Sequence, residues 1–306
     1  MSKERGSNLA ASVHQRLLNI SKKSGTDPNL TWSRYALERL LYRLASSDHA
    51  GKFILKGAML FAAWTGRTYR PTYDLDLLGL GENSAKRVSE VFKQICNLTV
   101  EPDGLVFDAE SVRVEPIRED QEYQGQRVTL QAMLGKARIP VQVDIGFGDV
   151  VTPKAEEIAY PTLLDFPAPR IRACSRETVV AEKLHAMTVL GIGNSRMKDF
   201  HDLYVLARDF PFDGITLTNA LRATFKRRKT DIPDKTPLAL TDEFGQDNTK
   251  SIQWSAFLRK SGLEGEMPSL IEVLSYLREF LLPPLKAAST QESMHGSWQS
   301  GGPWKK

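Results

Sequence analysis

Cysteine is almost absent from this chain of 306 residues: only Cys96 and Cys174 occur. Two thiols are too few for a thiolate metal site or a disulfide scaffold, and a reducing cytoplasm is the expected compartment. Long apolar runs are missing too, and no stretch approaches the roughly 20 residues that span a bilayer. Met1 to Asn19 is polar and mixed in charge, without the apolar centre of a secretory signal, so neither export nor a membrane partner is expected. Chemical signatures are lacking as well. No Gly-x-Ser-x-Gly elbow supports a serine hydrolase, and neither a P-loop nor a dinucleotide fingerprint is present. His185 and His201 fit no His-x-x-x-His or Cys-His pattern, which argues against zinc and leaves them packing or surface roles.

What is present is ordinary globular composition, 41% hydrophobic and 25% charged, long enough for two domains. The net charge of +4 is a cancellation. Residues 1–60 carry a net +6, residues 61–160 −5, residues 161–230 +5 and residues 231–306 −2. Alternation of this kind commonly does no more than solvate a surface, as expected of Glu119, Asp120 and Glu122 in a loop. The sharper reading is a carboxylate-bearing metal site flanked by surfaces that attract polyanions.

Two amphipathic helices are predicted first, one with Leu9, Val13, Leu17 and Ile20 on a face, the other with Leu37, Leu40, Leu41 and Leu44 after a Thr31 cap. Phe53-Ile54-Leu55 reads as a strand ending at Lys56-Gly57, followed by a short helix from Ala58 to Trp64. Leu75 to Leu80 reads as a second strand whose alternation points Asp74 and Asp76 the same way. A helix over 83–98 and strands at Val112–Ile117, Arg127–Leu134 and Ile139–Phe147 complete an α+β sheet. Past the stiff Pro167-Ala168-Pro169 connector the chain reads as helices from Ser175, so a boundary is expected near 165, with residues 1–165 and 166–306 as the two domains. A final stripe, Leu270, Leu274, Leu277 and Leu281, is expected to stop at Pro283-Pro284. The Ser- and Gly-rich tail from Ala287 reads either as loose or as latched by its tryptophans.

An Asp-x-Asp on a strand sets two carboxylates about 7 Å apart along one face. Left alone they repel; a hard cation such as Mg²⁺, with open positions for phosphate oxygens, resolves the repulsion. Asp144, opposite the apolar face of its own strand, would be a third ligand if the two strands are neighbours. On most strands such acids are simply the solvated side. Here, however, they follow a strand that ends in Gly57 at a helix start, where backbone N–H groups can hold a phosphate, and Thr72 and Arg70 lie just before them.

Lys56-Gly57-Ala58 followed by Arg70-Pro-Thr-Tyr-Asp74-Leu-Asp76 resembles the opening motif of the polymerase-β-like nucleotidyltransferases, and in particular the AbiEii/AbiGii toxin family, whose relatives include the MenT toxins. The resemblance continues through Val141-Gln-Val-Asp144-Ile-Gly-Phe-Gly-Asp149, Tyr160 to Pro169, Glu177 to Leu184, and Asn194-Ser-Arg196-Met-Lys198-Asp199-Phe-His-Asp202-Leu, about residues 52–206. Ala58 departs from the usual Ser or Gly, which removes a hydroxyl and leaves Thr72 to serve. The resemblance implies a mixed sheet with flanking helices, completed by a C-terminal helical domain. It implies Asp74 and Asp76 as metal ligands, Lys183 as a triphosphate ligand and Asp199 as a further essential acid.

Physically, Ser175 caps a helix with Glu177 in its first turn and Val180, Leu184 and Met187 buried, leaving Lys183 beside that stripe. Such a lysine can snorkel at a surface or act as a mobile charge for a phosphate. Ser195 is expected to cap the next helix, which carries Asp199 and Asp202 on one face, with Asp199 either complementing the helix dipole or pairing with Lys183. Lys226-Arg227-Arg228-Lys229, with Arg222 one turn back and Phe225 adjacent, could grip RNA phosphates, and Arg170, Arg172 and Arg176 could extend that track.

These signals together predict a nucleotidyltransferase using Mg²⁺, or Mn²⁺ in its place, held by Asp74, Asp76 and Asp144. The nucleotide would be cradled by Lys56, Gly57, Thr72 and Lys183, and Asp144 is also the preferred base for the acceptor hydroxyl. The resemblance implies CTP or another NTP as donor, a tRNA 3′ end as acceptor, a role as a toxin in phage defence, and a cognate antitoxin protein. Three rival readings stay open: nucleotidylation of a protein, NTP-dependent phosphorylation, and a catalytically silent RNA- or partner-binding module.

Overall fold

The computed structural model describes residues 2–120 and 123–305. Two compact units divide the chain, Met1–Gly148 with Glu156–Ala173, and Asp149–Ala155 with Cys174–Lys306. The division thus falls after Ala173 and not near 165. The reason is a pair of short strands, β6 (Glu156–Ala159) and β7 (Arg170–Ala173), that pair with each other and join the sheet of the first unit. Each has only four residues, and those of β6 are mostly exposed and do not alternate, which hid the pair in the sequence.

The first unit opens with helices α1 (Ser2–Ser24) and α2 (Pro28–Ala45). Asp27, not Thr31, caps α2: its side chain accepts from the Asn29 N–H, and Pro28 at the first helical position needs no hydrogen-bond partner. Thr31 is instead buried inside the helix. On α1 the buried stripe is Ala10, Val13 and Leu17, with Leu9 and Ile20 only half-buried. Strands β1 (Phe53–Lys56), β2 (Asp74–Gly79), β3 (Leu105–Asp120), β4 (Tyr123–Leu134) and β5 (Ala137–Phe147) then build the sheet, with α3 (Met59–Thr65) and α4 (Ala85–Cys96) between them. Strand β3 begins at Leu105, earlier than Val112, because residues 105–108 pair with 131–134 before a register shift. Glu119 and Asp120 fall at the end of β3 and not in a loop, while Glu122 lies outside the described residues.

The sheet order is β3-β4-β5-β2-β1-β7-β6. Strand β2 runs antiparallel to β1 and parallel to β5, which makes Asp76 the direct neighbour of Lys56 on one side and of Asp144 on the other. Leu75, Leu77, Val141, Val143, Ile145, Val128 and Leu130 are all buried, with α2 packed on β5 and α4 on β3. Burying that face forces the alternate residues, the aspartates among them, to the opposite one. A buried network pins α2 in place: Arg39 and Arg43 both bond Asp103, whose pKa they hold below the carboxylate range although burial alone would raise it.

The second unit holds α5 (Arg176–Leu190), α6 (Met197–Asp209), α7 (Gly214–Arg227), α8 (Asp242–Gln246), α9 (Asn248–Ser261) and α10 (Leu270–Ser289), with a small sheet of β8 (Phe212–Asp213), β9 (Ser297–Trp298) and β10 (Trp304–Lys305). Helix α10 does not stop at Pro283-Pro284 but runs through both. Pro284 has no N–H to offer the Phe280 carbonyl one turn back. Trp304 Nε1 donates to that carbonyl instead, at 3.0 Å, while its ring lies parallel to Phe280. Glu279, which Pro283 deprives of its donor, is exposed, where water can substitute. The tail is therefore latched: Trp298 is fully buried and donates to the Ala207 carbonyl at 2.6 Å. Trp304→Phe keeps the stack but removes the donor, so thermal unfolding should show a loss of about 1 kcal/mol, or about 2–4 °C. An unchanged melting temperature would mean that the carbonyl does not need the indole.

Candidate active site

The polypeptide turns sharply after β1, where Gly57 has φ +69°. A Cβ there would overlap the Asp76 carboxylate, so glycine is required twice, for the left-handed backbone and for the closeness of the acid. Ala58, at the start of α3, offers no hydroxyl. Asp74, Asp76 and Asp144 come together from β2 and β5, each with one oxygen within 4.8 Å of the others. All three are half-buried. Three hard oxygen donors at this spacing fit a divalent cation of the Mg²⁺ or Mn²⁺ type and suit neither a soft metal nor a zinc site.

Partners orient two of these acids. The Thr72 hydroxyl, itself buried, donates to Asp74 Oδ1 at 2.6 Å, so in the structure it positions a carboxylate where the sequence suggested a phosphate contact. Asp144 receives a bidentate guanidinium: Arg127 Nε donates to Oδ1 at 2.8 Å and a terminal nitrogen to Oδ2 at 2.7 Å. The Gln142 amide nitrogen lies 3.3 Å from both oxygens. Arg127 was missed in the sequence, although its signal was there. It alternates with buried Val128 and Leu130, hence shares the carboxylate face, and only the register of β4 on β5 sets it opposite Asp144. A row of charge, Lys56, Asp76, Asp144 and Arg127, thus crosses β1, β2, β5 and β4.

In the second unit, Ser175 caps α5 by accepting from the Thr178 N–H, and Val180, Leu184 and Met187 are buried. Lys183 Nζ lies 2.6 Å from Asp199 Oδ1 and 2.9 Å from Asp202 Oδ2, both carboxylates being almost wholly buried. Arg196 Nε reaches the other Asp199 oxygen at 3.0 Å, and His201 Nδ1 lies 3.1 Å from Asp202. Ser195 does not cap α6; that helix follows Arg196, without a side-chain cap, and Asn194 Oδ1 accepts the Arg196 N–H. Lysine between two carboxylates is neither a snorkelling surface residue nor a simple ion pair. It is the centre of a charge cluster shared by α5 and α6.

The basic segment is partly structural. Arg222 donates to the carbonyls of Ala287, Ala288 and Glu292 and anchors the end of α10 and the tail. Phe225 is fully buried against His185, and Arg228 pairs with Asp149 at 3.3 Å. Lys226 and Arg227 fall in the last turn of α7, and Lys229 follows it. Burial, then the nearby Arg228 charge, pushes the His185 pKa down to about 4, so this imidazole is neutral near pH 7 and a packing residue. Arg170 pairs with Glu157 across β6 and β7, and Arg176 lies over the Phe210 ring. The proposed track therefore loses several of its members to the fold. Among the described residues, no helix is long and apolar enough to cross a membrane.

A crystal structure of JHP933 from Helicobacter pylori aligns at 14% identity over 84% of this chain and 88% of that one, with a TM-score of 0.45. A second, described as a candidate nucleotidyltransferase from H. pylori, aligns at 14% identity over 84% and 91%, with a TM-score of 0.43. No curated protein matches by sequence. The family model of the nucleotidyl transferase AbiEii toxin of type IV toxin–antitoxin systems matches residues 39–276, a span that contains the three sheet carboxylates, Lys183 and both acids of α6. This chain belongs to the AbiEii family and is a nucleotidyltransferase.

Proposed function

We propose that the protein transfers nucleotide from CTP or another NTP to an RNA acceptor, the 3′ end of a tRNA, and acts in the cytoplasm as a toxin in phage defence that a separate antitoxin protein opposes. The observation that carries this reading is the convergence of Asp74, Asp76 and Asp144 beside the Gly57 turn. These three carboxylates would hold Mg²⁺ or Mn²⁺, which supplies Lewis-acid polarisation of the α-phosphate and neutralises the charge that develops on pyrophosphate. Thr72 fixes the Asp74 carboxylate for that task. The main chain at Gly57 and the charge of Lys56 favour the triphosphate, and Lys183 is the cation we assign to its outer phosphates. Asp199 holds Lys183 and limits where its ammonium can point. Lys226, Arg227 and Lys229 would contact acceptor phosphates, with Arg222 and Arg228 supporting them through the fold. Much of the rate would come from alignment and charge neutralisation.

Purified protein incubated with total tRNA, Mg²⁺ and each α-labelled NTP in turn should label RNA, and a γ-labelled NTP should not. Label that resists ribonuclease would move the acceptor to protein. Transfer of the γ-label alone would make the reaction a phosphorylation, and no transfer from any NTP would overturn the catalytic reading in favour of a binding module.

A further inference from the structure

We infer that Arg127 is an exchangeable counter-ion of Asp144, keeping the third carboxylate from a divalent cation until an anionic group takes the guanidinium. The inference rests on the metal-dependent reading above, but it concerns cation binding and not transfer. Both Asp144 oxygens accept from Arg127, at 2.8 and 2.7 Å, in the fork geometry that arginine forms with carboxylates and phosphates alike. A cation approaching Asp144 must share those oxygens with a fixed positive charge within hydrogen-bond distance. Asp74 differs, because the side chain that donates to it is the neutral Thr72 hydroxyl.

The position is not an accident of a long surface side chain. Arg127 and Asp144 are directly opposite in the β4–β5 register, and Asp144 and Asp76 are directly opposite in the β5–β2 register, so the guanidinium is built into the row that forms the site. The side chain of Arg127 remains 43% exposed while that of Asp144 is 18% exposed, which leaves the arginine room to turn where the acid is held. A triphosphate offers the same bidentate oxygen geometry as the carboxylate it would replace. Nucleotide binding would thereby release Asp144 and favour a further cation, coupling the two ligands through one side chain.

Mn²⁺ titration of the nucleotide-free protein, followed by electron paramagnetic resonance and calorimetry, tests this without reading activity. Arg127→Gln should tighten Mn²⁺ binding by about tenfold or more, or add one bound cation per chain, because a unit charge leaves the vicinity of the ligand. Arg127→Lys, which keeps the charge without the fork, should fall between the two. The double variant Arg127→Gln and Asp144→Asn should lose the gain. Melting temperature reports whether each variant is folded, and Arg127→Lys carries the test if Arg127→Gln is not. Unchanged or weaker Mn²⁺ binding in folded Arg127→Gln, a gain that survives in the double variant, Arg127→Lys equal to wild type where it carries the test, or no Mn²⁺ binding by any form would each overturn the inference. If the Mn²⁺ results are as expected and no NTP labels RNA, the transferase proposal fails by itself.

Discussion

Gly57→Ala should remove nucleotide transfer as thoroughly as Asp74→Ala, although the added group is one methyl and no ligand is lost. The methyl would occupy the space of the Asp76 carboxylate, and either the acid or the turn must move. At φ +69° the new residue also sits in backbone that L-residues enter at about 1–2 kcal/mol. A shift of about 1 Å in a reacting group can cost about 10²-fold, and losing a charge-stabilising group costs about 10²–10³-fold. Label transfer to RNA should therefore fall by at least about 10²-fold in both variants, with Asp74→Ala keeping a melting temperature near that of the wild type and Gly57→Ala losing a few degrees. If Gly57→Ala transferred label within about tenfold of the wild type, the closeness of turn and carboxylate would have no catalytic meaning.

Lys183→Met is the second large effect, and it should appear in stability whether or not the lysine ever meets a phosphate. Methionine keeps the unbranched bulk but removes the ammonium that Asp199 and Asp202 share. Arg196 still faces Asp199 and His201 still touches Asp202, so the acids are not abandoned. Even so, removing one partner of a buried ion pair typically costs about 3–5 kcal/mol, since a carboxylate that cannot reach water is left undercompensated. The lower end of that range corresponds to a fall of about 10 °C for a unit of this size. Adding Asp202→Asn to Lys183→Met should recover a substantial part of the loss by removing one of the stranded charges. A melting temperature unchanged by Lys183→Met would show that Arg196 and His201 suffice, and would make the cluster a nucleotide-binding device without a structural role.

Much of the first unit was legible because its strands bury one face. Alternation through Asp74-Leu75-Asp76-Leu77 located β2 and aimed its acids, and Gly57 after an apolar run announced a turn. Other features were misread where a local rule met a distant partner. Pro283-Pro284 breaks helices in general, but here Trp304, twenty residues further on, meets the carbonyl that Pro284 leaves open. Thr31 and Ser195 look like caps, yet Asp27 caps α2 and α6 starts after Arg196 with no side-chain cap. Strands β6 and β7 have only four residues each, too few to announce themselves, and β6 is also mostly exposed.

Local chemistry by itself determined which residues carry charge, which face of each strand and helix is apolar, and that the chain holds an acidic segment between two basic ones. Tertiary structure decided which of those charges meet. Strand order places Asp144 next to Asp76, register sets Arg127 on Asp144, and the packing of α5 with α6 folds Lys183 between two acids sixteen and nineteen residues away. Periodicity acts over a few residues and is written in the sequence, whereas a neighbour across a sheet or between helices is chosen by the burial of whole faces, which no short segment encodes.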